Sequence, residues 1–155
     1  MRNLRSINGY TALNFARHTC ALALVAMLLI ALAQKNANAS DISSTLKDGV
    51  HHVNAVEAHY LLSSSNTIQV LDVRTAKEFQ QGHIEGAINI DYYADDFAEQ
   101  LTALDPNIEY LVHCRSGVRS GKSLTILKSI GVKKLIHLDG GIKAWLSRGF
   151  ALKAL

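Results

Sequence analysis

The chain has 155 residues, 48% of them hydrophobic and 19% charged, with a single proline. That composition excludes a collagen-like repeat and a polar disordered tail, and the length favours one domain over two. The formal charge of +3 is misleading: Arg2, Arg5, Arg17 and Lys35 precede residue 40, where no Asp or Glu occurs, and the other 12 Lys/Arg face 13 Asp/Glu, a net −1 without the basic footprint of a nucleic-acid binder.

The chain opens with an export pattern. From Cys20 to Ala33 it reads CALALVAMLLIALA, uncharged, preceded by arginines and followed by the short stretch ending at Ala39. As a helix this run rises about 21 Å, short of the roughly 30 Å of hydrocarbon that a spanning helix crosses. Ala37 and Ala39 place small side chains where a signal peptidase requires them. The expectation is a cleaved signal peptide over residues 1–39, a periplasmic mature chain from Ser40, and no permanent membrane span after cleavage. Residues 40–49 are polar and read as a loose lead-in to a domain over 50–150. Cleavage removes Cys20 and leaves Cys114 as the one thiol, so no internal disulfide forms, and a lone cysteine in an oxidising compartment points to a reactive group.

Short apolar runs then alternate with helical segments. Val50 to Val53, Ile68 to Asp72, Ala87 to Ile90, Tyr110 to Cys114 and Leu135 to Asp139 read as strands. Asn54 to Leu62, Thr75 to Gln81, Asp95 to Leu104, Ser120 to Ile130 and Ile142 to Ser147 read as helices. Asn54 with Glu57, and Thr75 with Glu78, have capping-box spacing, while Gly131 and Gly149 mark helix ends. Strands joined through helices pair in parallel, which predicts a layered α/β sheet with its reactive groups at the carboxyl ends of strands. Cys114 ends one.

Residues 110–124 pass from that strand into a helix through a tight turn. Backbone N–H groups of such a turn point inward, the helix dipole adds positive potential, and Arg115 and Arg119 add full charges. A free cysteine with a pKa near about 8.5 is less than roughly a tenth ionised at pH 7.5, whereas a drop of about two units makes it about 90% thiolate. Two other chemistries are near misses on spacing. A phosphate-binding GxxxxGK[ST] loop needs glycine where Ser116 stands. Cysteine-dependent phosphatases carry arginine six positions after the nucleophile, where this chain has Ser120, so Arg119 closes a smaller ring.

Three motifs resemble the rhodanese-like sulfurtransferases over about 50–150. They are Leu71-Asp72-Val73-Arg74 with Glu78-Phe79 and residues 82–90, the loop Cys114-Arg115-Ser116-Gly117-Val118-Arg119, and the segment from Leu138 to Trp145. The resemblance implies a three-layer α/β/α fold on a five-stranded parallel sheet in the order 1-5-4-2-3. It implies a sulfurtransferase in which Cys114 is the nucleophile and takes a sulfane sulfur from thiosulfate, and a thiophilic acceptor such as cyanide or a thiol removes it. No metal and no organic cofactor are implied. Arg115, Ser116, Gly117, Val118 and Arg119 would bind the substrate, the amides holding the persulfide and the two arginines attracting the donor's sulfonate. Some members carry a further basic residue at the position of Ser116, a role that falls here to Arg119. Asp72 and Arg74 read as a supporting buried pair. Alternatives are a sulfur carrier that delivers persulfide to a protein acceptor and, less favoured, a phosphatase.

The histidines are assigned no catalysis or metal. His83 reads as structural in a turn-rich motif, His113 points to the face opposite Cys114 by strand alternation, and His51, His52 and His59 lack a second ligand cluster. Trp145 and Phe150 read as anchors of the last helix.

Overall fold

Residues 44–154 are described by the structure, a computed structural model. The signal peptide expected at 1–39 lies outside them, and no described helix is long and apolar enough to cross a membrane.

The first element corrects an expectation. Residues 45–49 are not a loose lead-in: β1 (Thr45–Lys47) folds back antiparallel on β2 (Val50–Val53). Asp48 and Gly49 form the turn with φ of 51° and 74°, the two positive values that a two-residue hairpin with right-twisted strands requires and that an Asp-Gly pair supplies.

From β2 the chain alternates as the sequence predicts. It continues through α1 (Ala55–Ser64), β3 (Ile68–Asp72), α2 (Ala76–Gln80), β4 (Ile88–Asn89), α3 (Phe97–Thr102), β5 (Glu109–His113), α4 (Val118–Ser129), β6 (Lys134–Leu138) and α5 (Gly141–Ser147). Both capping boxes form. Asn54 accepts from the amides of Val56 and Glu57 while Glu57 reaches back to Asn54 N–H, and Thr75 and Glu78 do the same for α2. Each cap stabilises its helix start by about 1 kcal/mol.

The sheet runs β1-β2-β6-β5-β3-β4, parallel throughout except at β1. Its five parallel strands follow the expected 1-5-4-2-3 order, and the edge hairpin adds a sixth. Strand alternation divides the core into two layers. Tyr110, Val112 and Cys114 pack with Leu124, Leu127, Phe97 and Leu101 of α4 and α3. Leu111 packs on the other face with Ala55, Ala58 and Trp145 of α1 and α5. Trp145 also donates its indole N–H to Ala151 O at 3.0 Å, which closes the C-terminal end over this layer. Cys114 thus sits at the edge of one hydrophobic layer, where β5 gives way to α4.

Candidate active site

Gly117 makes the turn from β5 into α4 possible. It caps α4 with φ of 94°, a left-handed conformation open to glycine and costly for residues with a Cβ. The reversal brings its own N–H to 3.2 Å from Cys114 Sγ. Cys114 is the free cysteine of the described residues and only 1% exposed. Burial pushes its thiol up, but the Ser120 amide and hydroxyl and the amides of Ser116 and Gly117 outweigh that, and the net shift is downward. Hydrogen bonds to the charged form override desolvation here.

A second element holds the loop from behind. The N–H groups of Ile142 and Lys143, at the start of α5, donate to the carbonyls of Cys114 and Arg115 at 2.9 and 3.1 Å. With those carbonyls turned toward α5, the following amides face the thiol. The two backbones approach so closely at Gly141 that a Cβ there would stand 2.4 Å from Cys114 O. This gives the third sequence motif its physical role: it fixes the cysteine loop.

The two arginines of the loop differ. Arg115 is exposed and lines a cleft of about 390 Å³ with Arg74, Glu78, Lys143 and Leu146. Arg119, expected to attract an anionic donor, instead gives both ends of its fork to Glu78 at 2.8 and 2.9 Å, beneath the Tyr93 ring at 5.5 Å. Glu78 is pulled down to about 2, first by this Arg119 hydrogen bond, against burial, with help from Thr75. The α2 capping box has therefore already placed a carboxylate where it neutralises the second arginine. Among the other predicted loop residues, Ser116 and Val118 are exposed, Val118 strongly so at 63%.

Asp72 and Arg74 form the expected buried pair. Arg74 Nε and Nη2 meet the Asp72 carboxylate at 2.6 to 3.0 Å, and Nη2 also reaches Gly82 O at 2.8 Å. Asn89 Nδ2 ties the carbonyls of both residues at 2.8 Å. His113 fills the remaining space, with Nε2 3.7 Å from Asp72 Oδ2, and burial drives its ring toward the neutral form. It lies on the face opposite Cys114. His83 stacks on Phe79 at 4.0 Å and contributes its backbone to a bridge with Lys153, a structural role.

Sequence reasoning missed the residues behind the thiol. Ser120 Oγ lies 3.6 Å from Cys114 Sγ and 2.9 Å from His137 Nε2. His137 Nδ1 meets Asp139 Oδ1 at 2.8 Å, and His52 Nδ1 meets the same oxygen at 2.9 Å. His52 thus belongs with His137 and Asp139 rather than with His51 and His59; His59 stacks on Phe150 at 4.2 Å. Alternation along the last strand puts Leu135, His137 and Asp139 on one face, the one signal in the sequence that could have paired them.

Comparison with known proteins identifies the family. The profile of the Rhodanese-like domain matches residues 55–148. The chain is 38% identical over 122 residues to Thiosulfate sulfurtransferase 18 of Arabidopsis thaliana, covering 71% of this chain and 88% of that protein. It is 37% identical over 112 residues to Thiosulfate sulfurtransferase 16, chloroplastic, of the same plant, covering 66% and 92%. Among solved structures, a rhodanese-like domain protein from Staphylococcus aureus superposes with a TM-score of 0.58 at 30% identity, over 67% of this chain and 97% of the other. A buried, amide-ringed cysteine in this sheet and a family match over most of the described residues lead to one conclusion: the chain belongs to the rhodanese-like family and is a rhodanese-like sulfurtransferase.

Proposed function

We propose that the protein moves a sulfane sulfur from thiosulfate, or a related anionic donor, to a thiophilic acceptor such as cyanide or a thiol, through a persulfide on Cys114. The observation that carries this reading is the Gly117 N–H held 3.2 Å from the Cys114 sulfur within a loop of inward amides. In the first half-reaction the thiolate attacks the outer sulfur of the donor, a new S–S bond forms on Cys114, and the old S–S bond breaks with its electron pair leaving on sulfite. In the second, the acceptor attacks that outer sulfur and Cys114 departs as thiolate. The loop amides donate to the added sulfur as they do to the thiolate. Arg115 at the rim, with Lys143 beside it, supports capture of an anionic donor. Arg119 supports loop shape through Glu78.

A protein acceptor is a second reading, favoured by one observation. Tyr93, Val118 and Leu146, exposed at 68%, 63% and 50%, gather around the loop and its cleft, an apolar rim of the kind that protein partners cover. A phosphatase reading would need a guanidinium free to grip phosphate, and that of Arg119 is engaged by Glu78. The apolar run at 20–33 supports a periplasmic setting for this activity.

Mass spectrometry after thiosulfate treatment tests the proposal. The expected result is a gain of about 32 Da on Cys114, reversed by cyanide and absent in Cys114→Ser. No gain with thiosulfate or polysulfide overturns it.

A further inference from the structure

The polar chain behind the thiol has a direction that can be read from donor and acceptor capacity. Asp139 Oδ1 faces two imidazole nitrogens, His52 Nδ1 and His137 Nδ1. A carboxylate only accepts, so both nitrogens carry hydrogen, and in neutral His137 the other nitrogen, Nε2, is bare. Ser120 Oγ, 2.9 Å away, must then donate its single proton to Nε2 and cannot donate it to sulfur. With His137 protonated the direction reverses. Nε2–H donates to Oγ, and the Ser120 proton turns to Cys114 Sγ at 3.6 Å. Its other acceptor, Gly117 O at 3.1 Å, already takes the Gly121 amide, and a neutral carbonyl competes poorly with a thiolate.

We propose that His137 is a positioning residue for Cys114: it takes up the thiol proton through Ser120 and holds it at Nε2 while the cysteine is ionised. The S–H bond breaks as the proton passes to Oγ, the hydroxyl's own proton passes to Nε2, and a thiolate and an imidazolium result with no proton lost. This rests on Cys114 being the sulfur-carrying nucleophile. Ser120 is fully buried and His137 nearly so, which leaves this chain as the internal route, while the Asp139 side chain, 55% exposed, opens the far end to water. The ring is held at both nitrogens, by Asp139 Oδ1 at 2.8 Å and Ser120 Oγ at 2.9 Å.

Other charged and titratable groups surround the chain. Arg119 faces the sulfur from α4 and is neutralised by Glu78 of α2. From β5, His113 acts on His137, itself backed by Asp72 and Arg74 of β3 and the loop after it. His52 of β2 shares Asp139. None of these stands between Sγ and Nε2.

The test is the pH dependence of Cys114 alkylation by iodoacetamide in the purified full chain. His137→Gln and Ser120→Ala are each expected to raise the apparent thiol pKa by about one unit, near tenfold less thiolate at neutral pH, and the double variant is expected to add nothing because the route is shared. Asp139→Asn, which leaves ring and hydroxyl in place, should shift the profile in the same direction and guards against a folding failure in the others. Profiles of the single variants that overlay the wild type, a shift in Ser120→Ala alone, or additive shifts would each overturn the proposal. Sulfur loading followed by mass is scored separately, so wild-type protein that fails to load overturns the sulfurtransfer reading and leaves the proton result to be judged by itself.

Discussion

Glu78 and Arg119 are 41 residues apart in the chain and meet fork to fork at 2.8 and 2.9 Å, joining the motif that begins at Leu71 to the cysteine loop. The same carboxylate caps α2, so one side chain settles both where that helix begins and how the loop's second arginine is neutralised.

That pair predicts a pH dependence of stability. Glu78 has a folded pKa of about 2, below its unfolded value, so its stabilisation is complete above the unfolded pKa and is lost as pH falls through the folded one. We expect the difference in urea unfolding free energy between wild type and Glu78→Gln, on the order of 2 kcal/mol at pH 7, to shrink between about pH 5 and pH 2. A difference that stays constant over that window would contradict the assignment.

Substitution of Gly141 should damage the site through the backbone. Its φ of 58° and the 2.4 Å approach of a would-be Cβ to Cys114 O predict that Gly141→Ala costs about 2 to 4 kcal/mol in denaturant unfolding. The variant should also slow Cys114 alkylation. Gly131→Ala, with a φ of 92° and open space around the position, should cost only about 1 kcal/mol and leave alkylation unchanged.

Arg115 and Arg119 should separate kinetically. Arg115→Gln is expected to raise the thiosulfate KM about tenfold while kcat changes little, and added salt should narrow the gap to wild type. Arg119→Gln leaves Glu78 without its partner and should lower the melting temperature, which Arg115→Gln should not. Steady-state kinetics and thermal melts on the two variants distinguish these outcomes.

The Asp72–Arg74 pair is buried, with its remaining polar capacity directed to Gly82 and Asn89. Asp72→Asn leaves a guanidinium without its counter-charge and should cost about 3 to 5 kcal/mol in urea unfolding. Combining Asp72→Asn with Arg74→Met should recover part of that loss, since the penalty comes from a buried unpaired charge.

What the sequence disclosed follows from what is local. Capping boxes at Asn54 and Thr75, glycine stops, and apolar runs of strand length lie within a few residues of each other, and they yielded five strands, five helices and the place of Cys114. Local chemistry also carries the Asp48-Gly49 turn, overlooked because the strand before it is exposed throughout and shows no apolar alternation. The site resisted for the opposite reason. Arg119 with Glu78, and Ser120 with His137, are brought together only by tertiary packing. Nothing in the segment around Arg119 shows that its charge is answered by a helix cap of the preceding motif. His137 lies among Leu135, Ile136 and Leu138 and reads from sequence as one more interior strand position.

The clamp from Ile142 and Lys143 onto the carbonyls of Cys114 and Arg115 ties the cysteine loop to a helix that follows it in the chain. Cys114 precedes α5 in the chain, yet the loop around its sulfur is held in place by that helix. A polypeptide in which α5 has not docked is therefore expected to carry a less acidic sulfhydryl than the folded one. On the role proposed for Cys114, a chain truncated before Gly141 is expected to retain the cysteine and to react more slowly there with iodoacetamide.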